Sequence, residues 1–200
     1  ANPESLRRSG CTHVLGLNSV GSLRLDWPVG TVVCPDDFFC PWARPDAGSS
    51  AVPSVPDLFP AWRTRVVSGW TDTVAVSIMN GGVFAQTTGP PFETRSEIRW
   101  LATVADLVGM TMASECIAAG GLRLAYASVS GVDNLANGLG DDPLTVADWQ
   151  AGVEANRPNL LDVLPPVIDA LARELALEPR PEASGRPEAP GHREASGVEA

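Results

Sequence analysis

Gly81-Gly82-Val83-Phe84-Ala85-Gln86-Thr87-Thr88-Gly89-Pro90-Pro91-Phe92-Glu93-Thr94 is the stretch on which the fold turns. Gly82 to Thr87 reads as a short buried strand. Asn80-Gly81 ahead of it reads as a tight turn from a strand over Thr73 to Met79. Gly89-Pro90-Pro91 then breaks the chain. Thr94 follows with Glu97 three residues on, the spacing of a capping box, and Ile98, Leu101 and Val104 continue as an apolar stripe. Strand, break and capped helix in direct succession are the building unit of an α/β fold.

The flanking sequence repeats the pattern. Thr12 to Leu17 is a buried strand entering a small-residue turn, Asn18-Ser19-Val20-Gly21-Ser22, and Thr31 to Cys34 is a second strand stopped by Pro35. Residues 41–62 carry many prolines and little periodicity, which predicts a long excursion loop. Leu107 to Met110 is a short strand, Ser114 can cap a short helix, and Leu122 to Val129 is a further buried strand. From Thr145 the pattern is helical. Pro158 suits a first turn, and Pro165-Pro166 must kink or restart the helix, because proline lacks the amide donor. The class is therefore α/β, a mixed central β-sheet flanked by helices, within one domain over residues 1–177. Residues 178–200 nearly repeat a Pro/Glu/Ala/Ser/Gly motif without large apolar side chains and predict a disordered tail.

Composition narrows the chemistry. Acidic residues outnumber basic ones 24 to 14, a net charge of −10, which argues against binding a nucleic-acid backbone. All fourteen basic residues are arginine, so lysine-dependent P-loop, Schiff-base and pyridoxal chemistries are excluded. His13 and His192 are the two histidines, and His192 lies in the tail as a bystander. A multi-histidine metal site is therefore not expected. Cys11, Cys34, Cys40 and Cys116 form no C-x-x-C pair and read as reduced thiols. With no signal peptide and no apolar run of the ~20 residues that cross a bilayer, the expected location is cytoplasmic and away from membranes.

Three small-residue segments, 18–22, 88–94 and 109–114, each end a predicted strand, where ligands of open α/β sheets gather. Gly89-Pro90-Pro91-Phe92-Glu93-Thr94 followed by Val108-Gly109-Met110-Thr111, with Asn18-Ser19-Val20-Gly21-Ser22 before and Val132-Asp133-Asn134-Leu135-Ala136 after, resembles the trimeric purine nucleoside phosphorylase and methylthioadenosine (methylthioinosine) phosphorylase family. The resemblance runs from residue 1 to about 176 and implies a nucleoside phosphorylase-like fold, a homotrimer, and phosphorolysis of purine nucleosides. Inorganic phosphate is then a co-substrate, and no cofactor is implied.

By the same resemblance, Asn18, Ser19 and Thr111 bind phosphate, the first two through backbone amides of a loop. Met110 packs on the sugar, Phe92 lies against the nucleoside, and Glu93 accepts N1–H of a 6-oxopurine. Asn134 is the catalytic residue, donating to N7 or O6 of the departing base, and Ala136 lines that segment. Alone, each reads more simply: a tight turn at Asn18-Ser19, a strand end at Met110-Thr111, a core ring and a helix-start carboxylate at Phe92-Glu93, a turn residue at Asn134. Asp133 and Pro91 depart from the family pattern and bear on base preference; the expected substrates are 6-oxopurine nucleosides, 5′-methylthioinosine among them. Thr145-Val146-Ala147-Asp148 lacks the histidine that many relatives place near the 5′ position, and apolar Val146 suits a methylthio group. The family's amino-terminal third, with its glycine-rich phosphate loop and Arg-x-His clamp, is not matched. The expectation is thus a phosphorylase seen as a fragment or truncated paralogue. Its rivals are an impaired homologue that binds purines or assembles with a complete subunit, and a plain structural module.

Overall fold

Two long strands lie side by side at the centre of the molecule. The computed structural model describes residues 3–42, 56, 58–140 and 142–177; the tail expected over 178–200 lies outside them, as does most of the excursion loop. In chain order the elements are α1 (Pro3–Arg8), β1 (His13–Ser22), β2 (Val32–Cys34), β3 (Asp37–Phe39), α2 (Pro60–Thr73), β4 (Ile78–Asn80), β5 (Val83–Gln86), α3 (Arg95–Leu101), β6 (Leu107–Gly109), α4 (Met112–Gly121), β7 (Ala125–Leu135), α5 (Val146–Leu161) and α6 (Leu164–Ala176). The sheet order is β3-β5-β6-β1-β7-β2-β4, with both parallel and antiparallel neighbours.

β1 and β7 pair in parallel from His13 opposite Ala125 to Ser22 opposite Leu135. β7 is buried from Ala125 to Asn134, which suits a strand covered on both faces. Its alternation assigns Tyr126 and Val132 to one core with Phe84, Leu107 and Met112, while Ala125, Ala127 and Val129 join a second core with Trp62, Val66 and Trp70. The register slips where Val20 faces Val132 and Gly21 faces Asn134, leaving Asp133 as the extra residue. A bulge of this kind re-aims side chains at a strand end. Among the described residues, no helix is long and apolar enough to cross a membrane.

Several sequence expectations are corrected. Asn18 to Ser22 is not a turn but the second half of β1, with Asn18 opposite Ser130 and Ser19 opposite Gly131. Asn80-Gly81 does not close a hairpin. β4 pairs with β2 and β5 with β3, so residues 78–86 run parallel to residues 32–39 along their whole length. The link is continuous through Gly81 N–H to the Cys34 carbonyl and Asp36 N–H to the Gly82 carbonyl, with Gly81 and Gly82 bending at φ 118° and 121°. These two segments form both ends of the strand order, so the sheet curls on itself. Of the strand expected over Thr73 to Met79, only Ile78 and Met79 belong to β4.

The excursion loop expected to residue 62 gives way to α2 at Pro60, where a first-turn proline lacks only a donor that would go unpaired. Trp62, Val66 and Trp70 form its buried stripe. Ser114 lies inside α4, whose N-cap is Thr111, and bonds Gln86 rather than capping the helix. Pro158 sits inside α5, because that helix starts much earlier, at a capping box of Thr145 and Asp148. Thr94 and Glu97 form the expected capping box, and the Pro165-Pro166 pair opens α6 as a restarted helix.

Candidate active site

Asn18, Ser19, Phe92, Glu93, Met110, Thr111, Asn134 and Ala136 all line one cavity of about 490 Å³. The topology brings them together. Parallel β1 and β7 deliver Asn18, Ser19, Asn134 and Ala136 from their carboxyl ends, and β6 runs out beside them into Met110 and Thr111. Residues 90–93 and the start of α5 form the outer wall. Among the described residues, β6 pairs with β1 only at Gly21 and Ser22. The cavity therefore opens beside the strand stretch that was expected to be a loop.

The floor is polar and bonded. Thr111 Oγ1 donates to Asn18 Oδ1 at 2.8 Å, and Asn18 Nδ2 donates to Ser128 Oγ at 2.5 Å. Asn18 and Ser128 are both buried, so this chain fixes the carboxamide. Asn134, also buried, donates from Nδ2 to the Leu135 carbonyl at 2.9 Å, which orients its amide at the bulge. Gly21 stands opposite, and a Cβ there would lie 3.1 Å from Asn134 Nδ2 and 3.2 Å from Val108 Cγ1. A side chain there would press on Asn134 and Val108, so the glycine suits this close approach.

Glu93 is half-buried, and its Oε1 accepts from Thr87 Oγ1 at 2.5 Å. Asn137 donates to the Glu93 carbonyl at 2.9 Å and accepts from the Leu144 amide at 3.3 Å, tying the wall at 90–93 to the segment leading into α5. Gln86 pins the first turn of α4 to β5 by bonding both the amide and the hydroxyl of Ser114. Thr111 is the N-cap of that helix, so the positive end of its dipole lies at the cavity wall. Glu93 is the one ionisable side chain among the described residues that line the cavity, which leaves an anion to be held there by neutral donors and the helix terminus. The described residues contain no cluster of three or more His, Cys, Asp or Glu suited to a metal.

Asp133 faces away from the cavity. Its Oδ1 accepts from Asn156 Nδ2 at 2.6 Å, and the same amide reaches the Val132 carbonyl at 2.7 Å, so Asp133 clamps α5 to β7. Its departure from the family pattern alters a helix contact, whereas Pro91 does line the cavity. Trp149 was missed by sequence reasoning. It lines the cavity, donates from Nε1 to Ser19 Oγ at 3.0 Å, and meets the Phe92 ring edge-on at 6.4 Å between centroids. The available signal was its position one helical turn after Val146, which lines the same cavity.

The buried Tyr126 hydroxyl, bonded to Glu115 Oε2 at 2.8 Å, is held protonated well above the usual phenol range by burial and by that carboxylate. It lies in a separate cavity of about 420 Å³ with Leu6 and His13.

Comparison with known proteins gives a consistent picture. Residues 2–169 match the model of the phosphorylase superfamily. The chain is 29% identical over 174 residues to a probable 6-oxopurine nucleoside phosphorylase of Archaeoglobus fulgidus, covering 86% of this chain and 70% of the relative. It is 31% identical over 180 residues to a probable S-methyl-5′-thioinosine phosphorylase of Methanothermobacter thermautotrophicus, covering 89% of this chain but 62% of that protein. Among solved structures, methylthioadenosine phosphorylase from Schistosoma mansoni in complex with adenine superposes with a TM-score of 0.74 at 20% identity, over 90% of this chain and 71% of the other.

Proposed function

The chain belongs to the phosphorylase superfamily, and from that membership we propose that it catalyses reversible phosphorolysis of purine nucleosides to free base and pentose 1-phosphate. The observation that carries this reading is the shared cavity, in which a fixed carboxamide, a half-buried carboxylate and two hydroxyls converge. An oxygen of inorganic phosphate forms the new bond to the anomeric carbon. The glycosidic C–N bond breaks, and its electron pair leaves with the purine. Asn134 has a second amide hydrogen beyond the one given to Leu135, available to N7 or O6 as negative charge grows on the base. Glu93 accepts N1–H of a 6-oxopurine, with Phe92 against the nucleoside and Met110 against the sugar. Ser19, Thr111 and Asn18 form the phosphate side, beneath the N-terminus of α4. Val146, exposed at the mouth, suits an apolar 5′ substituent such as methylthio. Relatives named for 6-oxopurine nucleosides and S-methyl-5′-thioinosine support that substrate class.

In this reading phosphate is a co-substrate, no cofactor is needed, and the protein works as a cytoplasmic homotrimer. A purine-binding role without turnover is the second reading, favoured by the lack of a cationic side chain among the described residues that line the cavity. One assay separates them. Hypoxanthine release from inosine and base release from 5′-methylthioinosine, followed spectrophotometrically, should require added phosphate. Purine binding with no phosphate-dependent release would overturn the enzyme reading.

A further inference from the structure

We propose that Trp149 is a positioning residue that presets the Ser19 hydroxyl as the hydrogen-bond donor to the phosphate; this rests on the phosphorolysis reading above. An indole N–H can only donate, whereas a hydroxyl has one proton to give and two lone pairs to receive with. Trp149 Nε1 donates to Ser19 Oγ at 3.0 Å, so the Ser19 proton must point elsewhere. No other side-chain bond of Ser19 occurs among the described residues, and Ser19 is exposed at the cavity wall. Its proton is therefore left for a partner in the cavity that Ser19 lines.

Thr111 is set the opposite way. The carboxamide oxygen Asn18 Oδ1 can only accept, so Thr111 must spend its proton there. It offers an anion a lone pair unless that bond breaks. Of the two hydroxyls on the phosphate side, Ser19 is the one prepared for an anion, and Trp149 does the preparing from a helix 130 residues away in sequence. The same indole meets Phe92, so one side chain links the anion-facing strand to the nucleoside-facing wall.

The test is a double-mutant cycle on Trp149→Phe, Ser19→Ala and their combination, read by calorimetric titration with inorganic phosphate and by KM for phosphate and nucleoside. Phenylalanine keeps an aromatic ring beside Phe92 while losing the N–H and part of the indole's bulk, and the nucleoside KM reports any effect of the lost bulk. Each single variant should weaken phosphate binding about three- to tenfold, the range of one ordinary hydrogen bond. The double variant should be no weaker than Ser19→Ala alone, and nucleoside KM should change less than twofold in Trp149→Phe. Additive losses, unchanged phosphate affinity, or equal shifts in both KM values would overturn the assignment and leave phosphorolysis standing. A parent protein that binds phosphate without turnover would instead sink the phosphorolysis reading, while the cycle on phosphate affinity would still decide the role of Trp149. No phosphate binding by the parent would overturn both.

Discussion

Two regions flank the central β1–β7 pair, one built for cohesion and one for contact with a ligand. Beneath α2 and α6, Trp62, Val66 and Trp70 pack on Val163, Val167 and Leu171. The polar atoms of the two indoles are settled on backbone carbonyls, Trp62 Nε1 on Val14 and Trp70 Nε1 on Val76. Toward the carboxyl ends of the strands, Asn18, Gln86 and Asn134 are buried yet polar, as is Ser128 within β7. Their bonds run to side chains, to the Ser114 amide and to the bulge, and Asn18 and Asn134 line the cavity. The same two strands thus carry a wall whose worth is burial and a wall whose worth is orientation. Loss of a side chain should register as stability in the first and as rate in the second.

The largest effect belongs to the apolar wall. Trp70 is fully buried, and Trp70→Ala removes both its ring and its bond to Val76. The expected loss is about 3–5 kcal/mol of unfolding free energy, measured by denaturant titration. The protein that remains folded should keep its turnover per active molecule. A loss below ~1 kcal/mol would mean that this wall does not hold α2 to the sheet.

Asn134→Ala is the counterpart on the other wall. By analogy with removal of one transition-state donor, kcat for phosphorolysis should fall about 10²–10³-fold. The denaturant midpoint should move little, because the bond lost is a local one to Leu135. If stability fell as much as in Trp70→Ala while kcat held, the two walls would not divide cohesion from orientation.

How much of this was legible in the sequence follows from how local each signal is. The capping box at Thr94, the chain break before it and the strand into it are each decided by residues a few positions apart, and all stand in the structure. The eight residues that the sequence singles out, and that line one cavity, lie in segments that carry a recognisable pattern in order. The failures share one cause, namely partners far away in sequence. Asn18 to Ser22 carries turn formers, yet the stretch pairs with β7, and Gly21 within it lies close to Val108 and Asn134. Asn80-Gly81 signals a hairpin only if the flanking strands pair, and here each pairs with residues 32–39 instead. In α2 the stripe of Trp62, Val66 and Trp70 was masked by the proline-rich run before it and by interspersed arginines. Trp149 stood on a legible helix, but its bond to Ser19 spans most of the chain.

The smallest effect concerns the caps that hold the outer wall of the cavity. Glu97 and Asp148 each accept from the hydroxyl and amide of their N-cap threonine, Thr94 and Thr145, at 2.6–2.9 Å. Those bonds favour the ionised form and hold both carboxyls below their ordinary pKa values. A carboxyl depressed in the folded state contributes stability that is fully present above its unfolded pKa, about 4, and is lost as pH falls through the lower folded value. Both groups are exposed, so solvent screening keeps the contribution small. Thr94→Ala should destabilise the protein by about 1 kcal/mol at pH 7. The gap should narrow at pH 3, where the carboxylate that Thr94 bonds is being protonated in the parent as well. Unfolding midpoints at the two pH values check this, and a gap of constant size would assign the cap to the neutral bond that the Glu97 amide donates to Thr94 Oγ1 alone. Because the caps lie at helix starts beside the cavity rather than in the apolar wall, their loss should leave the Trp70 side of the sheet intact and loosen only the side that faces the ligand.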